Sequence, residues 1–144
     1  DQDEGRLISW RLSGVLTSSL IDESVSFERT PALAIPDNDA QGVTDVLTID
    51  REAVINSLSL KAQIDHSYRG DLIVSLIHPD GEEVTVFNRD GRNAENLLLE
   101  VSVPDFIGRP IGGEWGLKVV DLGRGDEGAL KGWTLNAVLT STEP

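Results

Sequence analysis

Apolar residues recur at every second position in run after run of this chain, and no stretch carries a helical period. Such alternation turns one face of a β-strand towards a core and the other towards water. Leu58–Ile64 is the clearest run, with further runs at Val43–Ile49, Leu72–Ile77, Val84–Phe87, Leu97–Val103, Trp115–Val119 and Trp133–Leu139. Turn residues separate these runs, as in Pro79-Asp80-Gly81. The pattern predicts an all-β fold, a jelly-roll-like β-sandwich of about eight strands.

The first 34 residues follow a different pattern. Leu7–Leu16 alternates, so we expect a strand over Ile8–Leu16, whereas Thr17–Thr30 is polar and acidic and is expected to be a loop. Residues 1–34 are therefore interpreted as an N-terminal extension, either a linker or an extra edge strand. Residues 35–144 are interpreted as the sandwich domain.

Charge and composition narrow the classes of function. A chain of 144 residues is about one domain, and its 12 basic and 25 acidic side chains give a formal net charge of −13. This charge repels nucleic-acid phosphates and anionic lipids, and no apolar run is long enough to cross a bilayer. We therefore expect neither nucleic acid nor membrane as a partner. The chain by itself is also expected to be a monomer. The acid excess fits either a solvated surface or the binding of divalent cations.

Cysteine is absent, which excludes disulfides, thiolate catalysis and cysteine–zinc sites. The chain also contains no Asn-x-Ser/Thr acceptor for glycosylation. Both absences favour a secreted bacterial protein over a eukaryotic ectodomain. The start at Asp1 lacks a basic-then-apolar leader, so we expect a signal already removed or a piece of a longer chain.

Histidine supplies little for catalysis, because the chain contains only His66 and His78. A serine protease site needs a histidine between an exposed serine and a carboxylate, and no G-x-S-x-G elbow occurs. Asp65 and His66 are neighbours on a strand, so their side chains should point to opposite faces. His78 precedes a turn proline and is expected to be solvated. Two histidines twelve positions apart also lack the local spacing of a zinc site. We expect no catalytic residue.

Calcium fits the acidic loops better, since it prefers six to eight oxygen ligands from flexible loops. The candidates lie in an acidic turn, at a strand start and around a glycine-rich loop. They are Asp37, Asn38, Asp39, Asp71, Asp121 and Asp126. The competing interpretation is that these side chains only form turns by bonding nearby backbone N–H groups.

The aromatic residues allow two interpretations. Trp10, Trp115, Trp133 and Tyr68 would form a flat platform for sugar rings in a carbohydrate-binding module. Trp115 and Trp133, however, each begin an alternating apolar run, which favours a place in the core.

Four motifs occur in order along the chain. They are the acidic turn Ile35–Asp39, H-x-Y-x-G-D-L at His66–Leu72, G-x-W-x-L-x-V-x-D at Gly113–Asp121, and G-x-L-x-x-W-x-L at Gly128–Leu135. With these motifs residues 35–139 resemble the P domain, or P/Homo B domain, of kexin- and furin-like subtilisin proteases.

The resemblance implies a non-catalytic C-terminal accessory domain of a secreted, subtilisin-like serine protease or of another exoenzyme. Its partner would be the catalytic domain of its own protease, which it would stabilise and whose response to pH and calcium it would modulate. The alternative is an independent module of an exoenzyme that binds carbohydrate or protein substrate.

Overall fold

The computed structural model describes residues 20–66, 69–89, 95–123 and 128–142. Within these ranges it contains nine β-strands and two short 3₁₀ helices, at Arg69–Asp71 and Pro104–Phe106. The strands are β1 (Leu20–Arg29), β2 (Leu33–Ile35), β3 (Asp39–Ile49), β4 (Val54–His66), β5 (Leu72–Ile77), β6 (Glu83–Asn88), β7 (Leu97–Ser102), β8 (Gly113–Asp121) and β9 (Gly128–Thr142). The predicted all-β class is confirmed.

The strands form two antiparallel sheets packed as a sandwich. The first sheet has the order β1–β9–β4–β7, and the second has the order β3–β8–β5–β6. Strand β2 pairs with the start of β9 at Gly128–Leu130, while β1 pairs with β9 from Trp133 to Thr142. The short β2 and the long β1 therefore lie one after the other along a single edge of β9.

The core consists of the alternating apolar side chains that point inward from both sheets. In β4 the buried apolar positions are Ile55, Leu58, Leu60, Ala62 and Ile64. Trp115 and Trp133 are 0% and 2% exposed, so both belong to the core. Large aromatic side chains contribute much of the buried apolar area that stabilises a domain of this size. The core interpretation of these two tryptophans is confirmed.

The N-terminal prediction is corrected at β1, because residues 20–29 form a strand where a loop was expected. β1 pairs with β9 over ten residues, and Val25 and Phe27 pack against the core. β1 is an edge strand and buries only part of one face. Few of its positions therefore need apolar residues, and the alternation in its sequence is weak. The predicted strand Ile8–Leu16 lies outside the described residues.

A buried carboxylate bonds the two sheets together along one side of the sandwich. Asp45 lies on β3 of the second sheet, at an inward-facing position, and is 6% exposed. It accepts hydrogen bonds from Arg29 of β1, at 3.0 Å from Nε and 2.8 Å from Nη2. It also accepts one from the indole Nε1 of Trp133 on β9, at 2.7 Å. Arg29 and Trp133 are direct partners in the first sheet, so one carboxylate bonds a cross-strand pair.

The environment of Asp45 acts on its pKa in opposite directions. Burial alone would raise the pKa of the carboxyl, but hydrogen bonds from Arg29 and Trp133 and the Arg29 charge outweigh burial. The net effect holds the pKa of Asp45 below its ordinary value. A carboxyl with a lowered pKa in the folded state stabilises the fold above its unfolded pKa, about 3.9. That stabilisation is lost as the pH falls through the folded pKa.

Replacing Asp45 with alanine (Asp45→Ala) should lower the free energy of unfolding at neutral pH by roughly 2–4 kcal/mol. The Trp133 N–H would lose its acceptor in the core, and Arg29 would lose its ion pair. Urea unfolding followed by tryptophan fluorescence measures this change. The same variant should lose less stability than the native chain between pH 5 and pH 2, in about the range set by the carboxyl pKa.

Lys61→Ala provides the control, because Lys61 and Glu100 form an exposed ion pair at 3.7 Å on the first sheet. Its cost should stay below about 0.5 kcal/mol. Equal costs for Asp45→Ala and Lys61→Ala would contradict the bridging role of Asp45.

Candidate functional site

A histidine and an aspartate join the two sheets at one end of the sandwich. His66 is the last residue of β4 and Asp121 is the last residue of β8. The His66 Nε2 lies 3.0 Å from Asp121 Oδ2, and both side chains are fully buried. The His66 backbone is held as well, since its N–H donates to Asn96 Oδ1 at 2.9 Å and its carbonyl accepts from the Asn96 N–H at 2.8 Å.

Leu122 and Gly123, which follow β8, add contacts to this pair and to Asp71. The second carboxylate oxygen of Asp121 accepts the Gly123 N–H at 2.9 Å, so both of its oxygens have protein partners. Gly123 also lies against the Asp71 carboxylate: a Cβ there would come within 1.8 Å of Asp71 Oδ2. The Leu122 N–H donates to the Asp71 carbonyl at 3.0 Å. Only a residue without a side chain fits this approach.

Asp71 is mostly buried and has a cation nearby. The Arg89 Nη2 lies 3.9 Å from Asp71 Oδ1, and the Arg89 N–H donates to the Leu72 carbonyl at 2.8 Å. The positive charge of Arg89 offsets part of the negative charge gathered at this end.

The acidic turn precedes β3 at the same end. Asp37 and Asn38 are exposed, and Asn38 has a φ of +51°, a left-handed conformation that asparagine tolerates better than most residues. Asp39 begins β3 and pairs in register with Asp121. Its Oδ1 accepts the Gln41 N–H at 2.9 Å, the bond expected of an aspartate that forms a turn.

We call this region the aspartate end and define it by Asp39, His66, Asp71, Asp121 and Gly123. Of the predicted calcium ligands, it collects Asp39, Asp71 and Asp121, with the exposed Asp37 and Asn38 next to them. Asp126 lies outside the described residues. Among the residues that the structure describes, no group of three or more histidine, aspartate or glutamate side chains is placed to hold a metal ion. The calcium site remains a prediction.

Sequence reasoning placed Asp121 among the metal ligands and did not pair it with His66. A signal for the pair exists in the alternation. His66 continues the inward series of Leu60, Ala62 and Ile64, and Asp121 continues the inward series of its own strand. Two polar residues at inward positions of the core require partners, because burial without hydrogen bonds is costly. As predicted, Asp65 takes the opposite face from His66, and it is only partly buried.

The prediction that His78 is solvated is wrong, since it is 3% exposed. Its ring packs against Phe106 and Trp115, with ring centroids 5.1 and 4.8 Å away. The Nε2 lies 2.9 Å from the Pro110 carbonyl, and the Nδ1 accepts the Asp80 N–H at 3.0 Å. These contacts come from segments distant in the chain, and they cover the ring beside its turn.

Ion pairs with Arg109 stabilise the turn after His78. The Arg109 Nη1 lies 2.9 Å from Asp80 Oδ2 and 2.8 Å from Glu82 Oε1. The Glu82 N–H is the main cause that holds the pKa of Asp80 below its ordinary value, with His78 and Arg109 contributing. Gly81 has a φ of +96°, as the predicted tight hairpin requires.

The described part of the chain holds no helix that is long and apolar enough to cross a membrane.

The fold and its motifs define a family. Residues 55–137, from the start of β4 to near the end of β9, match the family Proprotein convertase P-domain. The chain belongs to that family, as the resemblance predicted.

Several curated relatives are bacterial proteases. Over 110 residues the chain is 34% identical to the transglutaminase-activating metalloprotease of Streptomyces mobaraensis, covering 76% of this chain and 14% of the relative. It is 32% identical to leupeptin-inactivating enzyme 1 of Streptomyces exfoliatus, covering 76% of this chain and 25% of the relative. It is 33% identical to the calcium-dependent protease of Nostoc, covering 70% of this chain and 17% of the relative. The chain thus spans a quarter or less of each of these proteins.

Solved structures share the fold. The serine protease of Aeromonas sobria in complex with the chaperone ORF2 aligns with a TM-score of 0.68 at 18% identity, covering 85% of this chain and 27% of that one. FlhE aligns with a TM-score of 0.57 at 10% identity, covering 82% of this chain and 96% of that one. At these identities the alignments establish the architecture alone.

Replacing His66 with alanine (His66→Ala) should lower the free energy of unfolding by roughly 3–5 kcal/mol. The variant leaves the Asp121 carboxylate in the core with its Gly123 bond but without its imidazole partner. Chemical denaturation with tryptophan fluorescence measures the loss.

Glu100→Ala is the matched control, since its carboxylate is exposed on β7 and pairs only loosely with Lys61. We expect its cost to stay within about 0.5 kcal/mol. A His66→Ala variant as stable as Glu100→Ala would show that the buried pair contributes nothing to the fold.

Proposed function

We propose that this chain is a non-catalytic accessory domain of a secreted bacterial protease, where it packs against the catalytic domain and stabilises it. The observation that carries the proposal is the family match over residues 55–137. The relatives add support, because two of the three are named as proteases and the chain corresponds to a quarter or less of each.

The environment of the histidines agrees with a non-catalytic role. His66 and Asp121 are fully buried and bonded to each other, and His78 is enclosed by aromatic rings. Neither imidazole can reach a substrate in this arrangement, so both serve the fold. An accessory domain of this kind acts by mass action: it binds only the native catalytic domain and thereby raises the free energy of unfolding of that domain.

For the class of the parent enzyme we propose a subtilisin-like, kexin-type serine protease, as the motifs suggest. A metalloprotease is the second candidate, because one of the relatives carries that name. Diisopropyl fluorophosphate and 1,10-phenanthroline distinguish the two in the full-length enzyme. Loss of activity with the first reagent and not the second supports the serine protease, and the reverse result replaces it with the metalloprotease.

The alternative of a carbohydrate-binding module loses its main support. Trp115 and Trp133 are buried and cannot stack on a sugar ring, while Trp10 and Tyr68 lie outside the described residues. A platform needs exposed aromatic faces, whereas Trp115 and Trp133, the two platform candidates within the described residues, belong to the core.

Removing the domain tests the proposed function. A full-length protease truncated before residue 20 should lose activity at elevated temperature on the order of tenfold faster than the intact enzyme, since about 1.4 kcal/mol of docking free energy corresponds to that ratio. The measurement is the half-life of peptidase activity during incubation. An unchanged half-life would contradict a stabilising role.

We further propose that the domain binds calcium near the acidic turn, with Asp37, Asn38, Asp39, Asp71 and Asp126 as the candidate ligands. Support comes from the gathering of Asp39 and Asp71 at the aspartate end and from relatives that are calcium-dependent proteases. Asp121 was also a candidate. It would instead hold the end together, because both of its oxygens already have protein partners. Since the described carboxylates do not form a complete site, the site requires a ligand outside them, for which Asp126 is the candidate.

Calcium at millimolar concentration should raise the unfolding temperature of the chain by several degrees, and magnesium should not, because a ligand that binds only the folded state stabilises it. Thermal unfolding is followed by tryptophan fluorescence against an EDTA reference. Asp39→Asn should abolish the calcium effect, whereas Glu100→Gln on β7 should retain it. If the unfolding temperature does not respond to calcium, the proposed site is wrong and the acidic residues only form turns.

A further inference from the structure

Exposed apolar side chains are concentrated at the end of the sandwich opposite the aspartate end. Of the six large apolar side chains that are strongly exposed within the described ranges, four lie here. They are Leu20, Ile21, Val54 and Ile107, with exposed fractions between 39% and 73%. We call these four residues the apolar end. A concentration of exposed apolar side chains at one end of a domain marks a candidate site of interaction.

The four side chains come from neighbouring backbone segments. Ile21 of β1 pairs with Ser141 of β9, and Thr140 of β9 pairs with Val54 of β4. Val54 in turn forms a bridge with Pro110, in the segment that carries Ile107. A shallow groove of about 390 Å³ runs across this end, lined by Arg51, Glu52, Ala53, Val54, Pro110, Gly112, Thr140 and Ser141.

Backbone hydrogen bonds hold the segment that borders the groove. The Ile55 N–H donates to the Arg109 carbonyl at 2.9 Å, and the Gly108 N–H donates to the Ile55 carbonyl at 2.8 Å. The Ile111 N–H donates to the Ala53 carbonyl at 3.0 Å. The backbone around Ile107 is therefore held against the start of β4 before any partner binds, which reduces the entropy that docking must overcome.

A groove on the adjoining outer face of the first sheet is lined by uncharged residues alone. This second groove, of about 330 Å³, is lined by Ser24, Val25, Ser26, Ser57, Ser59, Asn136, Ala137 and Val138. In a chain with a net charge of −13, a partner can contact the lining of such a groove without desolvating a carboxylate. The buried centres of protein interfaces are depleted of charged residues in the same way.

The course of the chain indicates the occupant. Strand β1 begins with Leu20 at the apolar end, and 19 residues precede it in the sequence. Fully extended, 19 residues span at most about 65 Å. A protein body joined ahead of them is tethered within reach of the apolar end and meets it at high effective concentration.

We propose that the apolar end, continued by the uncharged groove beside it, is the surface on which the catalytic domain docks. The inference rests on the proposed function, which places that domain on the N-terminal side of this chain. The complementary surface on the catalytic domain would be apolar at its centre and low in charge. Val54 and Ile107 would be buried near the middle of the contact.

Substituting glutamate for residues of the apolar end in the full-length protease tests the proposed docking surface. Leu20→Glu, Val54→Glu and Ile107→Glu should each shorten the half-life of activity at elevated temperature on the order of tenfold, as expected for a charge buried in an interface centre. Leu98→Glu is the matched control: Leu98 is 74% exposed on the outer face of β7, near the aspartate end. Its half-life should stay within about twofold of the native enzyme.

Two further measurements keep the outcomes distinct. Fluorescence of the buried Trp115 and Trp133 reports whether each variant retains the folded domain. If a glutamate variant unfolds it, Val54→Ser and Ile107→Ser replace it, with Leu98→Ser as their control. Apolar-end variants that match their Leu98 controls, in an enzyme that truncation does destabilise, overturn the proposed surface and leave the proposed function intact. An enzyme that truncation leaves unchanged overturns both.

Discussion

The bond between Asp45 and the Arg29–Trp133 pair sets how the two sheets lie on each other. Apolar contact between two sheets is favourable in many relative positions, because the hydrophobic effect has no direction. A buried carboxylate is different: its desolvation is offset only where specific donors meet both oxygens. In this domain a single alignment of β3 with β1 and β9 provides those donors. The remainder of the core packs in the register that this alignment allows.

A second buried carboxylate bonds the two sheets at the aspartate end, where Asp121 is hydrogen-bonded to His66 and Gly123. One carboxylate bonds the sheets along their side and the other bonds them at their end, so relative sliding in either direction breaks a buried hydrogen bond. Gly123 contributes by its lack of a side chain, which lets its backbone approach the Asp71 carboxylate. A domain held in this way keeps a fixed surface, which suits a role in docking.

Charge and apolar surface are separated along the sandwich. Three aspartates gather at one end, partly compensated by the charge of Arg89, and four exposed apolar side chains lie at the other. Docking through an apolar surface requires no particular chemistry of the partner's active site. That independence agrees with the range of relatives, which includes a metalloprotease and calcium-dependent proteases.

Sequence alone determined the seven strands β3–β9, the burial of Trp115 and Trp133, the hairpin at Gly81 and the family, because each is recorded in local spacing. It misread β1, since an edge strand is solvated along much of its length and its apolar period is weak. Alternation also places Asp45, His66 and Asp121 on inward positions, but it does not say what they face. Their partners lie 88 residues away for Asp45 and Trp133, and 55 residues away for His66 and Asp121. The stacking of the two sheets decided which inward residues meet, because only the folded chain brings those distant segments together. The same stacking placed His78 against Phe106 and Trp115.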